Sequence, residues 1–91
     1  MSDDHLEELL HQIVVIDTDS QFIHIGTLAA ITPTAVLLTD VDIHYMSDAH
    51  TSREVYLMES AKFGVRANRK KTTLMRSKVL SVSLLEDVIE Y

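Results

Sequence analysis

The sequence predicts a small, mainly β domain: a five-stranded barrel with an N-terminal helix and a short helical insertion. The chain has 91 residues, which makes one domain. Its longest β-type run, residues 21–32, is rich in β-branched and apolar residues and fits no helical spacing. One glycine, Gly26, interrupts that run, and glycine inside a strand marks a bend or a close backbone approach. A bent strand can serve both sides of a barrel.

Four further strands are predicted around this bent strand. The apolar run QIVVI precedes it, and DTDS between the two has the composition of a turn. Pro33 ends the bent strand because proline restricts the residue before it to extended conformations. The predicted strands are residues 12–16, 21–32, 35–45, 72–76 and 79–85.

An amphipathic pattern predicts a helix over about residues 3–13. Its apolar residues follow the spacing i, i+3, i+4, i+7 and are Leu6, Leu9, Leu10 and Ile13. A helix this short is marginal in water, so it must pack against the barrel.

A second helix is predicted over about residues 51–64. Thr51 and Glu54 have the spacing of a capping box, and Gly64 stands where a terminating glycine belongs. Its apolar side would carry Leu57, Met58 and Ala61. A strand over residues 55–58 is the alternative.

Composition limits the function. The chain lacks cysteine, has no apolar run of the roughly 18 residues that cross a membrane, and begins with an acidic segment unlike a secretory signal. We therefore predict a cytoplasmic protein without a membrane partner. The net charge is −6, yet all Lys and Arg residues except Arg53 lie from Lys62 onward. This asymmetry indicates either a local anion-binding face or a solvated basic loop.

Catalytic and metal-binding patterns are absent from the sequence. Asp40, Asp42 and His44 alternate on one strand, with Asp48 and His50 following, but the spacing matches no recognised metal site. We interpret them as a solvated strand face. Other polar residues have structural explanations: Asp17 and Asp19 belong to a turn, Ser81 and Ser83 to a strand face, His5 and His11 to the exposed side of a helix, and His24 to a hydrogen-bonded position in the barrel. We predict a non-catalytic protein with no cofactor, metal or small-molecule substrate.

Two segments resemble the motifs of the Sm-like (LSm/Hfq) family. The first matches at Val14, Ile16, Asp17, Asp19, Gly26, Thr27, Leu28, Val36, Leu37, Leu38, Asp40 and Val41. The second matches at residues 74–82, LMRSKVLSV, around Arg76. The insertion between them is similar to one in certain bacterial Sm-like proteins. The resemblance implies an Sm/SH3-like barrel, assembly into a homo-oligomeric ring, and RNA binding near a central pore that Arg76 would face.

The sequence departs from that family at the loop after the bent strand. Uridine-binding members usually carry Asp and Asn there, whereas this loop reads ITPTA, and Ser77 replaces the glycine after the motif arginine. Without polar groups to read a base edge, RNA binding is expected to show little base preference. The expected RNA-binding residues are Arg76, Lys78, Arg66, Arg69, Lys70, Lys71, Thr32 and Thr34. The alternative is an oligomeric scaffold or protein-interaction module that has lost the RNA pocket.

Overall fold

The computed structural model describes residues 4–46 and 52–89. The helices are α1 (Asp4–Glu7) and α2 (Arg53–Phe63). The strands are β1 (Ile13–Thr18), β2 (Phe22–Ile31), β3 (Ala35–Tyr45), β4 (Arg69–Met75) and β5 (Val79–Leu84), with 3-10 turns at Arg76–Lys78 and Leu85–Asp87. The prediction of a mainly β domain with five strands and two helices is confirmed. None of the helices in the described residues is long and apolar enough to cross a membrane.

All five strands are antiparallel and form one open sheet in the order β4-β3-β2-β1-β5. The edge strands β4 and β5 are nevertheless consecutive in the chain. A flat sheet would hold them about 19 Å apart, four spacings of about 4.8 Å. The chain from Met75 to Val79 can span at most about 14 Å. The sheet must therefore curl, so that its two edges approach each other at this turn.

The central strands are buried on both faces of the sheet. In β1, Val14, Val15 and Ile16 are all buried, although successive side chains point to opposite faces. One cluster contains Val14, Ile16, Leu28, Val36, Leu38 and Val41, with Leu9 and Leu10 packed against it. The other contains Val15, Ile23, Ile25, Leu57 and Leu85. The fold therefore needs a layer on each side of the sheet.

Gly26 lies at a close approach of β2 to β3. A Cβ atom built on it would stand 3.1 Å from the carbonyl oxygen of Thr39 and 3.1 Å from Cγ2 of Val41. The β2–β3 register shifts beside it, since Ile25 pairs with Asp42 and Thr27 with Thr39. The one extra residue on β3 forms a bulge, and bulges bend a sheet. Of the two interpretations of Gly26, a bend or a close backbone approach, these contacts confirm the close approach.

The N-terminal helix is shorter than the predicted span of residues 3–13. Only Asp4–Glu7 is helical, and the chain continues in tighter turns, such as Leu9 N–H to the Leu6 carbonyl at 2.9 Å. His11 has a φ of 70°, which ends the helical path. Its N–H donates to the Leu28 carbonyl at 2.7 Å, and the Gln12 carbonyl accepts from Leu28 N–H at 2.9 Å. Pairing with β2 thus overrides the helical pattern.

The insertion is a helix, so the alternative strand over residues 55–58 is wrong. Ser52 caps it: its Oγ accepts from the Val55 N–H at 3.2 Å. The predicted cap, Thr51, lies outside the described residues. Gly64 ends the helix at φ 98°, as predicted, and its N–H donates to the Ser60 carbonyl. Leu57 and Ala61 pack against the second core cluster.

Two histidine predictions have different outcomes. His5 and His11 are exposed, as expected. His24 is buried, but its Nδ1 atom has no hydrogen-bond partner in the described part of the chain, so the expected partner of this atom is missing. Burial lowers the pKa of His24, because a low-dielectric site disfavours the charged ring.

The contact at Gly26 generates a stability prediction. Gly26→Val should lower the free energy of unfolding by more than about 1 kcal/mol, because the β-branched side chain would collide with the β3 backbone. Chemical denaturation measures the change. Thr27→Val is the matched control, since it places valine on the opposite face of the same strand and preserves side-chain shape. A Gly26→Val protein as stable as wild type would contradict the close approach.

Candidate functional site

Arg76 joins the turn between β2 and β3 to the turn between β4 and β5. Its Nη1 atom donates to the Thr32 carbonyl at 3.0 Å, and its backbone N–H donates to the Thr34 carbonyl at 2.9 Å. The pairing of Ala35 with Met75 at the end of the β3–β4 ladder fixes this arrangement. The β2–β3 turn and the β4–β5 turn therefore form one surface, which combines one guanidinium with two threonines.

The side chain of Thr32 serves the turn itself. Its hydroxyl oxygen accepts from the Ala35 N–H at 2.9 Å and from the Thr34 N–H at 3.3 Å, and the hydroxyl donates to the Ala35 carbonyl at 3.3 Å. These bonds replace backbone pairing around Pro33, as Ser and Thr commonly do in turns. Thr32 consequently has little capacity left to read a base edge.

Three of the other predicted RNA-binding cations lie away from Arg76 along β4. Arg69, Lys70 and Lys71 belong to β4, which begins three residues earlier than predicted because Arg69 pairs with Val41 and Lys71 with Thr39. At about 3.3 Å per residue, Lys71 lies about 16 Å along the strand from Arg76. Arg69 and Lys71 share one face of the strand, and Lys70 has the other.

Lys78 and the two aspartates of the predicted turn lie near the start of β5. Lys78 Nζ stands 3.6 Å from Oδ2 of Asp19, so part of its charge is compensated. Asp17 belongs to β1 rather than to the turn. It forms an ion pair with Arg53 and accepts a hydrogen bond of 2.8 Å from Ser81 Oγ. Asp17 thereby connects the first residue of α2 to two strands.

Arg66 lies at a separate cleft of about 470 Å³ between α2 and β3. The helix contributes Tyr56, Glu59, Ser60 and Phe63, the strand contributes Asp42 and His44, and Gly64 and Arg66 complete the lining. Small-molecule sites in proteins have volumes of roughly 300–1,000 Å³. Arg76 does not line this cleft.

A hydrogen-bond network forms the floor of the cleft. Tyr56 Oη donates to Asp42 Oδ2 at 2.6 Å, and Asn68 Nδ2 donates to Asp42 Oδ1 at 3.3 Å. The rings of His44 and Tyr56 are stacked, with centroids 4.0 Å apart. Burial and the hydrogen bond to Asp42 raise the pKa of Tyr56, so its phenol stays neutral at physiological pH.

The interpretation of Asp42 and His44 as a solvated strand face is wrong. Asp42 is only 9% exposed, and His44 is half-buried against Tyr56. Of the three residues of this group that the structure describes, Asp40, in the bulge with φ 51°, is the exposed one. The described residues contain no group of three potential metal ligands, while Asp48 and His50 lie outside them.

The sequence does contain the signal for this cleft. Tyr56, Glu59, Ser60 and Phe63 follow the spacing i, i+3, i+4, i+7, so they share one side of a helix. The predicted apolar side of α2, with Leu57, Met58 and Ala61, does not include these four residues. An aromatic and polar stripe beside an apolar stripe indicates a helix that packs against the core on one side and lines a polar cleft on the other.

The Tyr56–Asp42 contact generates a prediction. Tyr56→Phe should lower the free energy of unfolding by about 1–3 kcal/mol, because a buried carboxylate loses a donor. Because the pKa of Tyr56 is raised in the folded state, its protonated phenol contributes its full stabilisation of the fold at any pH below the ordinary pKa of 10.0. This stabilisation is lost as the pH rises through the pKa of the folded state. The difference between wild type and variant should therefore stay constant up to about pH 10 and narrow above it.

Denaturation at a series of pH values measures both effects. Tyr45→Phe is the control, because Tyr45 is exposed and its ring lies against Phe22 with centroids 4.9 Å apart. Equal stability of Tyr56→Phe and wild type at neutral pH would mean that the network contributes nothing.

No protein-family model matches the chain, and no curated protein matches it in sequence. Function has therefore to be inferred from the residues and contacts of this chain.

Proposed function

We propose that this chain is a non-catalytic, Sm-like protein whose subunits form a ring and hold RNA, with little base preference, at the turns joined by Arg76. The observation that carries the proposal is the bond from Arg76 to the Thr32 carbonyl, which connects the second-motif arginine to the β2–β3 turn. A cation held at a fixed place beside two turns suits a phosphate or the face of a base.

The strand order supports assembly through the sheet edges. Strands β4 and β5 each pair on one side only among the described residues. Edge strands with open hydrogen-bonding groups favour pairing with another chain. Leu80 on β5 is 70% exposed and borders a groove of about 250 Å³ that Val36, Val79 and Val82 also line. In the proposed ring, β4 of one subunit extends the sheet of the next at β5, which completes an Sm/SH3-like barrel in each subunit.

Charge complementarity supports the same junction. In an antiparallel β4–β5 pair, the start of β4 lies opposite the end of β5. The start of β4 carries Arg69, Lys70 and Lys71, and Glu86 and Asp87 follow the end of β5. All five side chains are exposed, so facing subunits would bring opposite charges together. We assign these three cations to subunit contact first and to RNA second.

RNA binding in this proposal depends on repetition. A single acidic subunit with net charge −6 has weak attraction for a phosphate backbone. A ring would gather several copies of Arg76 around one strand, and several weak contacts made together give useful affinity.

The second candidate function is an oligomeric scaffold that binds no RNA. Two observations favour it: the Thr32 hydroxyl is engaged within its own turn, and Lys78 is paired with Asp19. RNA binding measured with the assembled protein separates the two functions.

Assembly generates the first prediction of this proposal. Wild type should form a closed oligomer of about five to eight subunits, the range implied by the Sm-like resemblance. Leu80→Asp should dissociate it at micromolar concentration, because a carboxylate would replace an exposed apolar side chain on β5 that the proposed contact buries. Native mass spectrometry gives the subunit number. Ile89→Asp is the control, since Ile89 is 65% exposed and lies outside the strands. A monomeric wild type would overturn the ring.

The second prediction of this proposal concerns RNA affinity. RNA affinity should fall steeply as the salt concentration rises. Arg76→Ala should lower the affinity for RNA strands of every sequence by the same factor. Lys78→Ala is the matched control and should lose less, because Asp19 already compensates Lys78. Fluorescence anisotropy with labelled U-rich, A-rich and mixed strands measures affinity, and mass at each salt concentration confirms that the ring persists. Absence of binding at low salt would favour the scaffold function.

A further inference from the structure

We propose that the cleft between α2 and β3 is a guanine nucleotide site, with Glu59 reading the base and Arg66 and Lys62 meeting the phosphate. It lies on the helical insertion, away from Arg76. The proposal rests on the proposed function only in taking the base from an RNA strand, and free GMP tests the cleft by itself.

The lining of the cleft includes one carboxylate and one guanidinium that are available to a ligand. Glu59 and Arg66 both line the cleft, and neither side chain has a hydrogen bond or ion pair with any residue that the structure describes. Below them, Asp42 and Ser60 are buried, and Asp42 is already satisfied by Tyr56 and Asn68. The floor is therefore fixed, and the charged edge is available to a ligand.

Aromatic rings favour a planar ligand. Phe63 is 76% exposed at the mouth of the cleft, and the stacked His44 and Tyr56 rings form part of its wall. Every nucleobase has a flat aromatic face, so any of the bases can stack on such rings. The Lys62 ammonium lies 5.6 Å from the centroid of the Phe63 ring. A base stacked on Phe63 would thus have cations beside it for its phosphate.

The carboxylate of Glu59 selects among bases. An ionised carboxylate only accepts hydrogen bonds. Guanine presents two adjacent donors, N1–H and the 2-amino group, which match the two oxygens. Adenine presents its ring nitrogen as an acceptor beside the amino group, and uracil flanks its one N–H with two carbonyls. A matched pair of bonds discriminates against the wrong base by roughly five- to 150-fold.

Parallel NMR titrations of the ¹⁵N-labelled protein with 5′-GMP and 5′-AMP test the site. GMP should bind about tenfold more tightly than AMP and shift the amide signals of Glu59, Phe63 and Arg66. Glu59→Gln should reduce GMP affinity to that of AMP. Phe63→Ala should weaken both nucleotides and keep their ratio, because stacking does not distinguish them. Glu54→Gln is the matched control, since it removes the same charge from the same helix outside the cleft.

Three results would overturn the site: equal affinity for the two nucleotides, a preference for GMP that survives Glu59→Gln, or shifts centred on the Arg76 turn. A second arm compares a U-rich RNA strand with one that contains a single guanine, in wild type and in Glu59→Gln. Loss of the guanine preference with retained RNA binding supports the site. Binding of GMP without binding of any RNA would refute the proposed function and leave the cleft as a site for the free nucleotide.

Discussion

The structure depends on the burial of its central strands on both faces. Val14, Val15 and Ile16 are consecutive and all buried, so neither face of β1 can meet water. Curling of the sheet encloses one face, where Val14 and Ile16 join the first cluster. It leaves the other face, with Val15, Ile23 and Ile25, on the outside of the curl. Each of these side chains contributes about 1.5–3 kcal/mol when buried, which is a large part of the total stability of a small domain.

Helix α2 supplies the missing cover, and this role sets the position of the cleft. Leu57 and Ala61 face the sheet, so the neighbouring side of the helix is turned toward β3. The bonds from Tyr56 and Asn68 to Asp42, together with the ion pair of Arg53 and Asp17, hold the helix at a defined place. The cleft results from a helix that is packed on one side and held by polar contacts on the other.

Much of the fold was predictable from local sequence. Alternating and β-branched runs predicted five strands, and Gly26 predicted the close approach that the Thr39 carbonyl and Val41 create. Non-local pairing decided the rest. The leucine pattern of the N-terminus continues past Glu7, but helix α1 ends there. His11 and Gln12 instead form backbone hydrogen bonds with Leu28 of β2. Arg69 and Lys71 have weak strand preferences, yet pairing with β3 makes them part of β4.

The site was less predictable than the fold. The sequence indicated Arg76 and the threonine turn. Only the folded chain shows that the Thr32 hydroxyl forms hydrogen bonds within that turn. The basic residues are close in sequence and separated in space, because an extended strand carries them apart. Asp42 and His44 looked solvated since nothing local indicated that Tyr56, fourteen residues later, would cover them.

The insertion also constrains how such a chain can evolve. A descendant that deleted α2 would expose Val15, Ile23 and Ile25 together, and three polar replacements would be needed at once to restore a soluble surface. Each replacement made earlier would place a polar group under the helix and destabilise the protein. The helix and these three residues should therefore be inherited as a unit. Among descendants of this chain, loss of the segment between β3 and β4 should therefore occur together with polar residues at positions 15, 23 and 25.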